Sequence, residues 1–241
     1  MSLSYSSVIG KAHYHHAEFR IISKKLNELY RQGKRNFFDV GFGRGKFLDL
    51  ASGIGYTVHG VEVNADYIAA AQSKGYHCVH LSELQKIGQK FDVILISHVI
   101  EHLHPQELID ILDSYIQMLH PEGMLIIASP VHGDRFYYDI THIRPYYPQS
   151  IWHSFGENFE ELSVGRTERS LVLRDIYYIR DSHRTRNNRA YYIKDGLQLQ
   201  FHTLRIINYL LAALYLISGY RIGVRASWLG FYSVKMRSKK P

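Results

Sequence analysis

Two rhythms of apolar residues alternate along this chain. Short unbroken runs that end on an acid or a serine are followed by stretches with an apolar residue every third or fourth position. Phe19, Ile22, Leu26 and Leu29 recur at helical spacing with Lys24, Lys25 and Arg31 between them, which predicts an amphipathic helix within residues 12–32. Asn36 to Val40 predicts a strand, Gly45 to Ser52 a helix, Thr57 to Glu62 a second strand and Ala65 to Ser73 a second helix. Asn64 and Asp66 stand near that helix start, where short polar side chains cap free N–H groups. A third strand is expected over Tyr76 to Leu81 and a fourth over Phe91 to Ser97, whose run Val93-Ile94-Leu95-Ile96 suits a sheet covered on both faces. Pro105 opens a helix that reaches Leu119, and Pro121-Glu122-Gly123 turns the chain into the strand Met124 to Ala128. Gln149 to Phe155 predicts a short helix, Phe159 to Gly165 a sixth strand and Phe231 to Met236 the last one.

Strands that alternate with helices imply right-handed crossovers and a parallel sheet, hence an α/β fold. A ligand of such a sheet sits at the carboxyl ends of its strands, where the strand order reverses. Asp39, Glu62, Ser97 and Ser129 all fall at those ends.

The first of these ends carries the most chemistry. In Asp39-Val40-Gly41-Phe42-Gly43-Arg44-Gly45, three glycines on alternate positions let the backbone approach a ligand with no Cβ in the way. Glu62 follows Gly45 by 17 positions, close to the spacing of roughly 20 at which a nucleotide-binding βαβ unit offers a carboxylate to ribose hydroxyls. The third glycine comes two residues after the second, where a dinucleotide fingerprint wants three, and Lys46 occupies the expected position. A nucleoside without phosphates therefore fits this turn better than a pyrophosphate.

DVGFGRG followed by GVEVN, then FDVILISHVIEHLHP, then LHPEGMLIIASP, resembles a class I S-adenosylmethionine-dependent methyltransferase, in the branch that methylates hydroxyls of small molecules and glycans. The resemblance covers roughly residues 36 to 165. It implies a Rossmann-like, seven-stranded, mostly parallel sheet with helices on both faces and the last strand antiparallel. It also implies a single domain over 1–241, with residues 175–226 as a basic and apolar helical insertion before the last strand. Asp39, Gly41, Gly43 and Gly45 would surround the amino-acid portion of S-adenosylmethionine, and Glu62 would accept from its ribose. Val63 would pack on the adenine with Leu81 and Ser82 at its other edge, and Ser97 and His98 would line the methionine portion.

The acceptor side rests on two stretches. His98-Val99-Ile100-Glu101-His102 spells H-x-x-E-H, a zinc-protease signature, yet zinc would need both histidines on one helix face plus a third ligand. The stretch follows directly on a strand and is cut off by His104-Pro105, so no metal is expected and His102 is read as a pocket residue. In Tyr138-Asp139-Ile140-Thr141-His142-Ile143-Arg144-Pro145-Tyr146 the D-x-x-H-x-R-x-[YF] pattern is similar to family members acting on sugars and other small hydroxylated molecules. His142 is the candidate base, Asp139 the group to orient it, and Tyr138, Arg144 and Tyr146 the candidate contacts to the acceptor.

Charge and composition then narrow the partners. The net charge of +7 concentrates in the last third of the chain and calls for an anionic partner or a solvated face. RNA is the weaker choice, because the Asn/Asp-Pro-Pro-Tyr/Phe tetrapeptide of base N-methylation is replaced by His98-Val99-Ile100-Glu101. A fold relic that only docks a partner is the non-enzymatic alternative. The most apolar run, Ile206 to Tyr220, holds 15 residues between Arg205 and Arg221, short of the roughly 20 that cross a bilayer. Within 203–222 it is read as a helix against the substrate side, as a peripheral membrane contact or as a dimer contact. Lone Cys78 and the lack of a secretory pattern fit a cytoplasmic protein, peripheral at the inner membrane face if that run meets lipid.

Overall fold

A computed structural model describes residues 5–134, 136–157, 164, 167–182 and 198–237. Backbone proximity divides the chain into two compact units, Ser23–Tyr177 with Trp228–Pro241, and Met1–Ile22 with Tyr178–Ser227.

Seven strands form one sheet: β1 (Asn36–Val40), β2 (Thr57–Glu62), β3 (His77–His80), β4 (Phe91–Ser97), β5 (Leu119–Pro130), β6 (Arg169–Asp181) and β7 (Val224–Met236). Their order is β3-β2-β1-β4-β5-β7-β6. The first five pair in parallel, and β7 runs antiparallel to both of its neighbours. The order reverses between β1 and β4, so the crevice that takes a ligand opens beside the carboxyl end of β1. Register puts Asp39 opposite Gly60 on one side and Leu95 on the other, and Ser97 opposite Ala128.

In the larger unit Phe37, Phe38, Val93, Ile94, Leu95, Ile96, Leu125, Ile126 and Ile127 are fully buried, as an all-apolar central strand requires. The helices that follow β1, β2, β4 and β5 are α3 (Lys46–Ile54), α4 (Ala65–Ser73), α5 (Pro105–Met118) and α6 (Pro148–Phe155). Asn64 caps α4 by accepting from the Asp66 and Tyr67 amides at 2.9 and 3.2 Å, the role its position predicted. Trp228, fully buried, donates its indole N–H to the Tyr146 carbonyl at 2.7 Å. The smaller unit has a core of its own between α1 (Tyr5–Lys11) and α7 (Gln198–Ile217), made of Val8, Ala12, Ala212 and Tyr215. The helix expected over 12–32 is α2 (Tyr14–Arg31).

Two expectations change at the end of the chain. The residues given to an insertion beginning at 175 include half of a long strand, since β6 continues to Asp181, and β7 begins at Val224 rather than Phe231. Arg174-Asp175 break the apolar run and hide the strand in the sequence. Their charges are tolerated because β6 is the last strand of the order, where both side chains reach the surface. The strand expected over Phe159 to Gly165 lies, Val164 apart, outside the described residues.

Candidate active site

The turn after β1 is built from backbone. Gly41 and Gly43 take φ of 64° and 53°, the left-handed region that costs any residue with a Cβ. A Cβ on Gly41 would stand 2.6 Å from Cγ2 of Val99, whereas one on Gly43 would meet no protein atom within 4 Å. Gly41 is thus a packing requirement, and Gly43 faces open space. Gly45, also left-handed, directly precedes α3.

Glu62 closes the far side of this turn. Its carboxylate accepts from the Gly43 amide at 2.8 Å, from Val63 at 2.8 Å and from Asn64 at 3.1 Å. An ionised carboxylate offers about four lone-pair sites, so three amides leave one for a ligand hydroxyl. Asp39 lies beneath, 2 % exposed, with Oδ2 lacking any hydrogen-bond partner. Burial pushes its carboxyl well above the ordinary range; Lys46 pulls it back and Glu62 adds to the rise. A buried acid with an orphaned oxygen is a group waiting for a cationic or donor partner.

Beside these residues lies a cavity of about 360 Å³. Gly41, Glu62, Val63 and Leu81 line one end, and His98, Val99 and His102 the other. Val63 is 64 % exposed, an apolar side chain held open toward this space. Asp39, Gly43 and Gly45 stand outside this lining, while Glu62 and the apolar rim of Val63 and Leu81 suit a nucleoside. Ser82 stands outside this lining and bonds His80 Nδ1 at 2.8 Å; Ser97 closes β4 just before His98.

Residues 14–202 match the family described as a methyltransferase domain. This chain belongs to that family. Its fold is that of the class I methyltransferases, which use S-adenosylmethionine. Among curated relatives, the ubiquinone biosynthesis O-methyltransferase of Brucella ovis is 31 % identical over 101 residues, 39 % of this chain and 40 % of that protein. The chain therefore spans about two fifths of the length of the curated relatives it matches. A S-adenosylmethionine-dependent methyltransferase from Archaeoglobus fulgidus shares the fold with a TM-score of 0.55, at 23 % identity over 89 % of this chain and 93 % of that one. The magnesium protoporphyrin IX methyltransferase of Synechocystis gives 0.52, at 14 % identity over 93 % and 80 %.

The other wall of the crevice is made of side chains. After β4, His98 adopts φ 57°, an uncommon conformation for a residue with a side chain, and a single 3-10 turn carries Ile100, Glu101 and His102. Glu101 is fully buried. Its backbone carbonyl accepts from the Ile143 amide at 2.8 Å, tying the post-β5 loop to the post-β4 turn. His102 and His142 come together edge to face with ring centroids 4.8 Å apart.

Asp139 stands differently from the orienting role expected of it. The group that holds His142 is the Phe136 carbonyl, 2.7 Å from Nδ1, while Asp139 Oδ2 lies 3.8 Å from Nε2. Asp139 Oδ1 instead accepts from the Thr141 hydroxyl at 2.6 Å and its amide at 2.9 Å, which lowers the Asp139 carboxyl below the ordinary range. Tyr138 is exposed on the rim, and Arg144 lies over the Tyr146 ring at 5.2 Å. Tyr146 itself is buried, with its hydroxyl donated to the Leu103 carbonyl at 2.9 Å. The residue that sequence reasoning left without a role is Glu101, although it sat inside the H-x-x-E-H pattern. Its signal was an acid directly after the apolar pair Val99-Ile100, four residues past the end of β4.

Proposed function

We propose that this methyltransferase methylates a hydroxyl of a small-molecule, sugar or lipid-linked glycan acceptor. The observation that carries the reading is one open cavity with a glycine–glutamate wall at one end and a histidine wall at the other. S-adenosylmethionine held there would supply an activated methyl group for the acceptor oxygen, with a neutral thioether as the leaving group.

Everything else falls to this chain. Glu62 would hold the ribose through its remaining lone pair, and Asp39 the amino-acid arm, with Gly41, Gly43 and Gly45 leaving room for both. Val63 and Leu81 would cover the adenine, with Ser82 at its edge, and Ser97 and His98 would flank the methionine portion. Alignment and exclusion of water of this kind contribute roughly 7–11 kcal/mol to such reactions. The acceptor proton would go to an imidazole of His142 or His102, with Asp139 beside Nε2 of His142 to stabilise the charge. Tyr138 and Arg144 would meet the rest of the acceptor. Tyr146 would act from beneath, by fixing Arg144. The likeness to the Brucella ubiquinone biosynthesis O-methyltransferases supports oxygen as the atom methylated.

Calorimetry with S-adenosylmethionine tests the reading. Wild type is expected to bind and Glu62→Ala to bind much more weakly; a wild type that does not bind would leave only a docking role. Strongly salt-dependent RNA binding would instead favour an RNA acceptor.

One observation favours a peripheral membrane contact as well. Ile206, Leu210, Leu214 and Ile217 form an exposed apolar stripe on α7, flanked by exposed Arg205 and Arg221. Among the described residues no helix is long and apolar enough to cross a membrane. Flotation with anionic vesicles that survives Leu210→Glu with Leu214→Glu would remove the idea.

A further inference from the structure

We propose that Glu101, His102 and His142 together hold a divalent transition-metal ion, and that this ion takes the acceptor hydroxyl as a further ligand. The proposal rests on the methyltransferase reading and deepens it by replacing a direct imidazole base with a metal-bound oxygen.

One ligand atom from each of the three residues lies within 4.8 Å of the other two. The protonation of both rings follows from their partners. The Phe136 carbonyl can only accept, so His142 Nδ1, 2.7 Å away, carries the proton and Nε2 keeps its lone pair. The Thr141 hydroxyl gives its single proton to Asp139 Oδ1, so its 3.0 Å contact with His102 Nδ1 is an acceptance. The Thr141 carbonyl, 3.2 Å from the same nitrogen, also accepts. His102 Nδ1 therefore carries the proton, and its Nε2 keeps a lone pair as well. An Nδ1–H held by a backbone carbonyl is the usual outer contact of a metal-binding histidine, since it fixes both tautomer and ring plane.

Glu101 supplies the third arm. It is fully buried, and Oε2 is anchored by the Ser129 hydroxyl at 3.2 Å. Oε1 has no hydrogen-bond partner, although His98 Nδ1 approaches to 3.3 Å without bonding geometry. A buried carboxylate oxygen without a donor is costly unless a cation or proton meets it. Asp139 Oδ2, 3.8 Å from His142 Nε2, adds a second carboxylate facing the same lone pair.

Two imidazoles and one carboxylate are the ligand set of catalytic zinc and of open three-ligand iron sites, both of which leave positions for substrate. His102 also lines the cavity beside Glu62, so the open positions face the acceptor side of the crevice. An acceptor hydroxyl bound there loses its proton to water while its oxygen keeps the electron pair, which makes it a nucleophile at neutral pH. His98 and His102 do not share a helix face, as a zinc-protease signature would require. The structure pairs His102 with Glu101 on one turn and brings His142 from forty positions away.

The test begins with the full chain stripped by a chelator. Zn²⁺ is titrated by calorimetry and Co²⁺ by its visible absorption bands, beside a separate titration with S-adenosylmethionine. One ion per chain is expected in the wild type and none in the His102→Ala, His142→Ala double variant, which should keep its affinity for S-adenosylmethionine. Glu101→Gln retains a carbonyl for Ser129 and should fold, as read by circular dichroism, yet bind the ion more weakly. Absence of a stoichiometric ion in the wild type, or its retention in the double variant, overturns the proposal. A wild type that binds the ion but not S-adenosylmethionine overturns the methyltransferase reading and leaves the metal site standing.

Discussion

The two walls of the crevice are made by opposite means. The wall after β1 and β2 is backbone, with amides from Gly43, Val63 and Asn64 converging on one carboxylate and glycines in place of side chains. The wall after β4 and β5 is side chain, with Glu101, His102 and His142 brought together by a carbonyl here and a hydroxyl there. Backbone amides at a strand–turn–helix junction can recognise the same cofactor in many proteins, because their positions follow from the fold. Side chains on two loops can change with the acceptor while the sheet stays as it is.

If that division is real, substitutions on one wall should leave the other wall's ligand alone. The largest effect belongs to Gly43→Val. Its side chain meets no protein atom at Cβ, so the fold should stand with a strain of about 1–3 kcal/mol, while the space the cofactor needs is filled. Calorimetry should detect no S-adenosylmethionine binding, and unchanged binding would place the cofactor elsewhere. Next come His142→Ala and His102→Ala, whose turnover should fall by about 10²–10⁴-fold with cofactor affinity essentially unchanged. A parallel loss of cofactor affinity would erase the distinction between the walls. Glu62→Gln is expected to be milder. It keeps an acceptor for some amides but loses the charge, so cofactor affinity should fall about tenfold, or roughly 1.4 kcal/mol, with little change in acceptor KM.

The same division explains what could be read in advance. Asp39, the glycines and Glu62 were legible because a parallel strand, a tight turn and a helix are a local code, and their residues lie within 24 positions of one another. The acceptor wall was legible only in its parts. Nothing local to His142 says that the Phe136 carbonyl rather than Asp139 will hold its ring. Tyr146 was expected to touch the acceptor, but its hydroxyl reaches Leu103 and its carbonyl serves Trp228, 82 positions away. β6 stayed hidden because Arg174 and Asp175 look like a loop until the strand order makes β6 an edge.

The smallest effect concerns Asp39, a buried acid at the end of β1. Its carboxyl is pushed well above the ordinary range by burial, so between the ordinary and the raised value the folded chain binds more protons than the unfolded one. Stability of the cofactor-free chain should therefore fall as pH rises through that window and level off once both states are ionised. Asp39→Asn cannot lose a proton, so its melting temperature should lack this slope. For a chain of this size each kcal/mol is worth about 2–4 °C, a shift that thermal melts across pH can resolve. A saturating cofactor would place its ammonium group near the carboxylate and favour the ionised form, which should flatten or reverse the slope in wild type alone. Identical slopes in wild type and Asp39→Asn would mean that another group titrates, and that the backbone wall holds its cofactor without help from this acid.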